Sequence, residues 1–404
     1  MSTSLLYHGF GVRGYRHRRT QYTEGRVLMW IEQDPGELRC PVCGSAEVTR
    51  KGCQERRFHM VPIGSKPVLL VFPVPRVACE QCGVVRQVRI PFAQRRRSYT
   101  TAFERYVVDL CRHMTISDVA EHLGVGWYIV KDIQARYLTR RFARPKLKGL
   151  REIAIDEISI GRGHRYLTVV LDLASGAVVF VGEGKGAEAL APFWKRLRRS
   201  RARVKAVAID MSPAYIAAVQ ENLPGVIIVF DHFHVIKLFN DKLSNLRRDL
   251  QREAAGPLHK KVLKGTRWLL LKNPENLDPQ RGERERLEEA LRLNKPLATA
   301  YYMKEDLRQL WSQPDKATAQ RLLTDWIARA EASGIRMLKD FAKTLAGHRS
   351  GLLAYYDYFI STGPLEGTNT KIKLLQRQAY GFRDMEFFKL KIMALHESRI
   401  ALVG

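Results

Sequence analysis

The sequence predicts an α/β fold, a mixed-sheet core broken by a long all-helical insertion and preceded by two small modules. Three observations carry that expectation. Between residues 150 and 238, short apolar runs alternate with helix-like segments, and the runs REIAID and VKAVAID close on Asp156 and Asp210. Between residues 239 and 350, apolar residues recur at helical spacing with few β-branched clusters. Ahead of residue 150 lie two CxxC pairs, then a short helix, a glycine turn and a longer helix.

Charge narrows the partners. The 404 residues carry 68 Lys and Arg against 41 Asp and Glu, a net charge of +27, which attracts polyanions and points to nucleic acid. A hydrophobic share of 45% is ordinary for a globular chain and excludes a disordered one. The longest apolar runs, such as PVLLVFPVP, fall well short of the roughly 20 residues that span a bilayer. The opening residues lack the pattern of a secretory signal, so a cytoplasmic location is expected, with no membrane partner.

Residues 1–97 form the first expected domain. CPVCG and CEQCG place Cys40, Cys43, Cys79 and Cys82 in two like knuckles, each followed by a glycine that permits a tight backbone. Four thiolates in that arrangement suit structural Zn2+. The stretches RRFHMVPI and PVLLVFPVP between the knuckles read as strands of a small sheet, as in a zinc ribbon. Cys53 and His59 read as ordinary residues of this module, and Cys111 as packing in a later helix.

Residues 98–149 form the second. AFERYVVDLCRHM buries one helical face. After it, Thr115 or Ser117 caps a short helix, Gly124 and Gly126 make the turn, and a second helix runs from Trp127 to about Leu138, a helix-turn-helix. The second helix would enter the major groove, with Lys131 and Arg136 as candidate contacts and buried anchors among Trp127, Ile129 and Val130. Arg140 and Arg141, in the basic flank, are candidate phosphate contacts.

Residues 150–238 read as three strands, a helix, a strand, a helix and a fifth strand, the order of a ribonuclease-H-like sheet. In that order the first and fourth strands are neighbours, so Asp156 and Asp210 can share a cation at the strand ends. Oxygen ligands of this kind select Mg2+ or Mn2+, and two ions about 4 Å apart can run an in-line phosphodiester displacement. Asp231 also follows an apolar run and competes for the second position. It belongs with His232 and His234 to a cluster that either holds the scissile strand or is structural. Trp194 and Trp268 read as core packing.

The helical insertion occupies 239–350, and the last part of the core 351–404. There STGPLEGTNTKIKLLQRQ places Glu366 at the start of a helix, with Asn369 near it as an orienting residue. Lys371, Lys373 and Arg377 on the same helix are candidate DNA contacts.

IAIDEIS, AIDMSPAY, VFDHFHVIK and GPLEGTNTKIKLLQRQAYGFRDMEFFKLKI resemble bacterial insertion-sequence transposases of the DDE type, in the ISL-three family. The resemblance covers nearly the whole chain. It implies a catalytic triad at Asp156, Asp210 and Glu366, two Mg2+ or Mn2+ ions, and binding of terminal inverted repeats on double-stranded DNA. It also implies cut-and-paste movement, with strand cleavage followed by strand transfer. Since two separated ends need at least two active sites, a homodimer or larger assembly on DNA is expected, associated with the nucleoid. A metal-dependent, structure-specific nuclease without strand transfer and an inactive DNA-binding regulator remain the alternatives.

Overall fold

A computed structural model describes residues 4–161, 163–254, 256 and 262–396. The first residues of the KKVLKG stretch, 260 and 261, and the end of the chain from 397 lie outside the described residues. The chain divides into two compact units, Met1–Ala143 and Arg144–Gly404.

The first unit opens with a short helix α1 (Leu5–His8) and a sheet of β1 (Tyr15–Thr23), β2 (Arg26–Gln33), β3 (Val48–Ile63), β4 (Lys66–Cys79) and β5 (Val85–Gln87). Its order is β1-β2-β4-β3, with β5 also on β4. On β2, alternate residues Val27, Met29 and Ile31 are buried against Phe58, Met60, Leu70 and Phe72 of the long β3–β4 hairpin. Sequence reading missed β1 and β2. YRHRRTQYT is polar and exposed along its length, so it carries no apolar alternation to read.

Three helices complete the unit: α2 (Thr101–Leu110), α3 (Ile116–Leu123) and α4 (Trp127–Phe142). Thr115 and Asp118 form a reciprocal capping box at the start of α3, and Gly124 ends it at φ 61°. Phe103, Val107, Val119, Leu123, Val130 and Ile133 make the shared core. α4 runs one turn beyond the expected Leu138, because Leu138 and Phe142 are both buried and extend its apolar face.

The second unit is built on β6 (Glu152–Gly161), β7 (Arg165–Asp172), β8 (Val178–Glu183), β9 (Ala206–Ile209) and β10 (Ile227–Phe230), in the order β10-β9-β6-β7-β8. β10, β9 and β6 run parallel, whereas β6, β7 and β8 form an antiparallel meander. Helices α5 (Ala191–Ser200) and α6 (Pro213–Asn222) make the crossovers. This is the mixed sheet expected of the ribonuclease-H-like order.

From β10 the chain passes into α7 (His232–Glu253) and then α8 (Arg267–Leu271), α9 (Glu283–Leu293), α10 (Lys295–Arg308), α11 (Lys316–Ala332), α12 (Arg336–Gly347) and α13 (Arg349–Leu353). The insertion is organised around fully buried rings. Phe239 of α7 lies 4.9 Å from Phe341 and 6.1 Å from Trp326 in ring-centroid distance, and the Trp326 indole N–H donates to the Met303 carbonyl at 2.7 Å. The chain then returns to the sheet through Gly351, where an added Cβ would meet the Phe230 ring at 2.4 Å. α14 (Gly363–Gln378) and α15 (Met385–Met393) close the fold. Among the described residues, no helix is long and apolar enough to cross a membrane.

Candidate functional site

Two sites emerge, one in each unit. In the first, Cys40, Cys43, Cys79 and Cys82 bring their sulfurs within 4.8 Å of one another. The two knuckles are near copies. Gly44 N–H donates to the Cys40 carbonyl, and Gly83 N–H to the Cys79 carbonyl, each at 3.0 Å. Both glycines have positive φ, 80° and 68°. Sulfur separations of 3.6 Å (Cys40–Cys82) and 3.5 Å (Cys43–Cys79) lie close to the roughly 3.8 Å edge of a tetrahedron with 2.3 Å zinc–sulfur bonds. The donor set therefore fits a structural zinc ion. Cys53 is exposed and Cys111 is packed in the helical core, both away from this cluster.

The helix-turn-helix places its candidates unequally. Arg140 and Arg141 are exposed, while Lys131 is half-buried, with its ammonium 5.5 Å from the Trp127 ring centroid. Arg136 is engaged by other segments of its own unit. Its guanidinium donates to Gln94 Oε1 (2.7 Å), Tyr99 Oη (2.8 Å) and Asp132 Oδ2 (3.1 Å) and pairs with Glu104 at 2.6 Å. Of the three residues expected to include the buried anchors, Val130 is one and Trp127 is not. Trp127 is 40% exposed at the first turn of α4, whereas Val130, three residues on, and Ile133 are fully buried in the helical core.

In the second unit, Asp156 does not end its strand. β6 continues to Gly161 because its antiparallel pairing with β7 persists, while its parallel pairing with β9 stops at Ala154–Ala208. Continuing that register sets residue 156 level with residue 210, which follows β9 directly. Burial raises the Asp156 pKa, and the Asp210 charge adds to the rise; the Glu157 amide, His234 and Asn369 oppose it. Glu157 leaves for the other face, where Tyr215 Oη donates to its carboxylate at 2.7 Å.

Asp231 is 1% exposed and caps α7. One oxygen accepts from the Thr362 N–H (3.1 Å), and the other lies 3.1 Å from His234 Nδ1. The ring of His234 then points Nε2 toward Asp156 Oδ1 at 3.9 Å. The Asp231 hydrogen bond raises the His234 pKa against burial, with Asp156 and Asp210 adding to it. For Asp231 itself, burial favours the neutral acid, but the His234 and Thr362 hydrogen bonds outweigh it and the pKa falls.

Glu366 is half-buried in the first turn of α14, four residues after Thr362. One turn on, Asn369 Nδ2 donates to Asp156 Oδ2 at 2.9 Å, and further along Gln376 donates to the Ile160 carbonyl at 2.5 Å. α14 thus lies along β6, with Glu366 three residues from the Asp156 contact. Among the described residues, Asp156, Asp210 and Glu366 do not form a cluster as tight as that of the cysteines. Lys371, Lys373 and Arg377 are exposed on the same helix. Trp194 is buried as expected, but Trp268 is 65% exposed, because α8 turns its apolar face inward through Leu269 and Leu270.

Comparison with known proteins is consistent from end to end. Residues 153–392, more than half of the chain, match a family model described as a transposase. Residues 88–138 match the helix-turn-helix domain of transposase family ISL3, and residues 37–82 the zinc-finger of the transposases of IS204, IS1001, IS1096 and IS1165. The chain is 34% identical to the transposase for insertion sequence element IS1001 of Bordetella parapertussis, over 95% of this chain and 96% of that one. It is 31% identical to the transposase for insertion sequence element IS1557 of Mycobacterium tuberculosis, over 94% and 90%.

Proposed function

The chain belongs to the ISL3 family of DDE-type transposases, and on that premise we propose that Asp156, Asp210 and Glu366 are its catalytic carboxylates, acting on the ends of a DNA element through divalent cations. The observation that carries this reading is the meeting of three chain segments beside the central strand β6. Extending the β6–β9 register brings Asp156 level with Asp210, the residue just after β9, and the helix bearing Glu366 reaches Asp156 through Asn369.

The residues present fit Mg2+ or Mn2+. The donors are carboxylate oxygens, Asp156 is a half-buried acid with a raised pKa, and Asn369 Oδ1 is buried without a hydrogen-bond partner. A pair of such ions, held by the three carboxylates, would activate the attacking oxygen and stabilise the leaving one. The protein's own part is positional. Asn369 fixes the Asp156 carboxylate, Asp231 orients His234 toward it, and the Asp231–Thr362 hydrogen bond holds the chain just ahead of Glu366.

We assign the helix-turn-helix to the terminal inverted repeats, with Arg140, Arg141 and Lys131 on or beside its exposed face. Lys371, Lys373 and Arg377 would grip the strand near the carboxylates by its phosphates. Two element ends require at least two active sites, so the working form on DNA is a homodimer or larger. The test is incubation with DNA carrying the flanking inverted repeats and Mg2+ or Mn2+. Cleaved and joined products support the reading, nicks without joining indicate a nuclease, and binding without cleavage indicates a regulator.

A further inference from the structure

A group of aromatic rings lies where the helical insertion leaves and rejoins the sheet. His232, the first residue of α7, has its ring 5.8 Å from Trp311 and 6.5 Å from Tyr355. Tyr355 lies 5.4 Å from Phe359, and Tyr356 lies 6.4 Å from it, both edge-on. Phe359 is 75% exposed, and Phe233, beside His232 in the chain, is 48% exposed. A ring as exposed as Phe359, held edge-on by two half-buried tyrosines, is an apolar surface open to a partner. The ledge is fixed in place. Tyr356 Oη donates to the Leu310 carbonyl at 2.6 Å and accepts from the Gln313 N–H at 3.2 Å.

The ledge runs into the hydrogen-bond network of Asp231 from both chain directions. His232 follows Asp231, which reaches His234 and through it Asp156. Phe359 precedes Thr362, which Asp231 holds. From these juxtapositions we infer that the ledge is a stacking platform for an unpaired base of the DNA strand entering the carboxylate site. Duplex DNA offers base edges and phosphates to a surface, whereas an unstacked base offers a flat face that edge-held rings can cover. Charge agrees. The carboxylate beside the ledge, Asp357, is paired with Lys316 at 2.5 Å, and exposed Lys371 and Lys373 stand on the following helix to take the phosphates. The inference rests on the cleavage reading above, because it makes the ledge part of that substrate path.

The test uses the full chain in calcium buffer, with a duplex bearing a short single-stranded tail that contains 2-aminopurine, against the same duplex with blunt ends. Stacking quenches the probe and favours the tailed duplex by about tenfold. Phe359→Ala and Tyr355→Ala abolish quench and preference while leaving blunt-duplex affinity unchanged. Phe359→Ala changes an exposed side chain, so its folding is checked by an unchanged melting transition. Asp156→Asn keeps the quench, so loss of cleavage without loss of quench separates the two readings. The inference is overturned if both ledge variants bind and quench as the parent does. It is equally overturned if Phe359→Ala dissociates a dimer in sedimentation while tail binding is unchanged, which would assign the ledge to a second copy of the chain.

Discussion

On the proposed reading, the four cysteines and the three acids solve the same problem, gathering ligands for a cation, in opposite ways. Cys40 with Cys43, and Cys79 with Cys82, are each fixed by one tight knuckle, and the long β3–β4 hairpin brings the knuckles together. The result is a closed set with short sulfur–sulfur distances. The acids depend on strand register for Asp156 and Asp210, and on the return of the chain after a long helical insertion for Glu366. A closed tetrahedron suits a structural ion, and an open set of oxygens leaves room for a substrate. The first site should therefore fail by unfolding and the second by losing rate.

The largest expected effect lies at the closed site. Cys43→Ser or Cys79→Ser should remove one zinc per chain, measured by elemental analysis, and unfold the knuckle segment. Structural zinc contributes on the order of 10 kcal/mol in comparable small modules. The second unit has its own core and should keep its melting transition. Full zinc content with unchanged stability in either variant would remove the contrast between the sites.

At the open site the loss should be in rate. Asp156→Asn, Asp210→Asn and Glu366→Gln should each lower strand cleavage by roughly a thousandfold or more, equivalent to several kcal/mol of transition-state stabilisation. DNA affinity measured by gel shift should stay within a few fold, because the helix-turn-helix is untouched. Normal cleavage by the Glu366→Gln protein would detach α14 from the chemistry.

How far each site could be read from the chain follows from the same contrast. The cysteines were legible because their spacing is local, and the strand order of the second sheet because its runs are apolar. Asp156 was legible as an acid after an apolar run, but not as a mid-strand residue, since the extent of β6 depends on its partner β7. The engagement of Arg136 was hidden, because Gln94, Tyr99 and Glu104 come to it from other segments. The exposure of Trp127 and Trp268 was hidden for the related reason that each sits beside apolar residues which fill the core instead. The double role of Asp231 needed the Thr362 contact, which no spacing rule reveals.

Smaller effects should come from the residues that orient the acids. Asn369→Ala removes the donor on Asp156 Oδ2, and Asp231→Asn removes the charge opposite His234 while keeping an oxygen for the Thr362 N–H. Each should lower metal affinity or cleavage by about 10- to 100-fold, read as a higher Mn2+ concentration for half-maximal rate. An unchanged metal dependence in both would reduce them to packing residues.

The smallest effect is on stability, and its sign separates the two sites. Burial raises the Asp156 pKa in the folded chain, so the fold binds that proton more tightly than the unfolded chain does. The linked stability is fully present below the unfolded value. It is lost as pH rises through the raised folded value, so the ionised form of this half-buried carboxyl costs stability. Asp156→Asn keeps an oxygen for Asn369 and removes the charge, so without divalent metal it should melt at a higher temperature than the parent at pH 7. The difference should shrink as the pH is lowered. Adding Mn2+ should raise the parent's melting temperature and leave that of the variant nearly unchanged. Cysteine substitution at the zinc cluster should do the reverse and lower stability, because a closed structural site stabilises the fold through its ion, whereas an open catalytic one holds its charge at the fold's expense. A metal-free Asp156→Asn protein less stable than the parent would show that the hydrogen bonds to this carboxylate outweigh its burial.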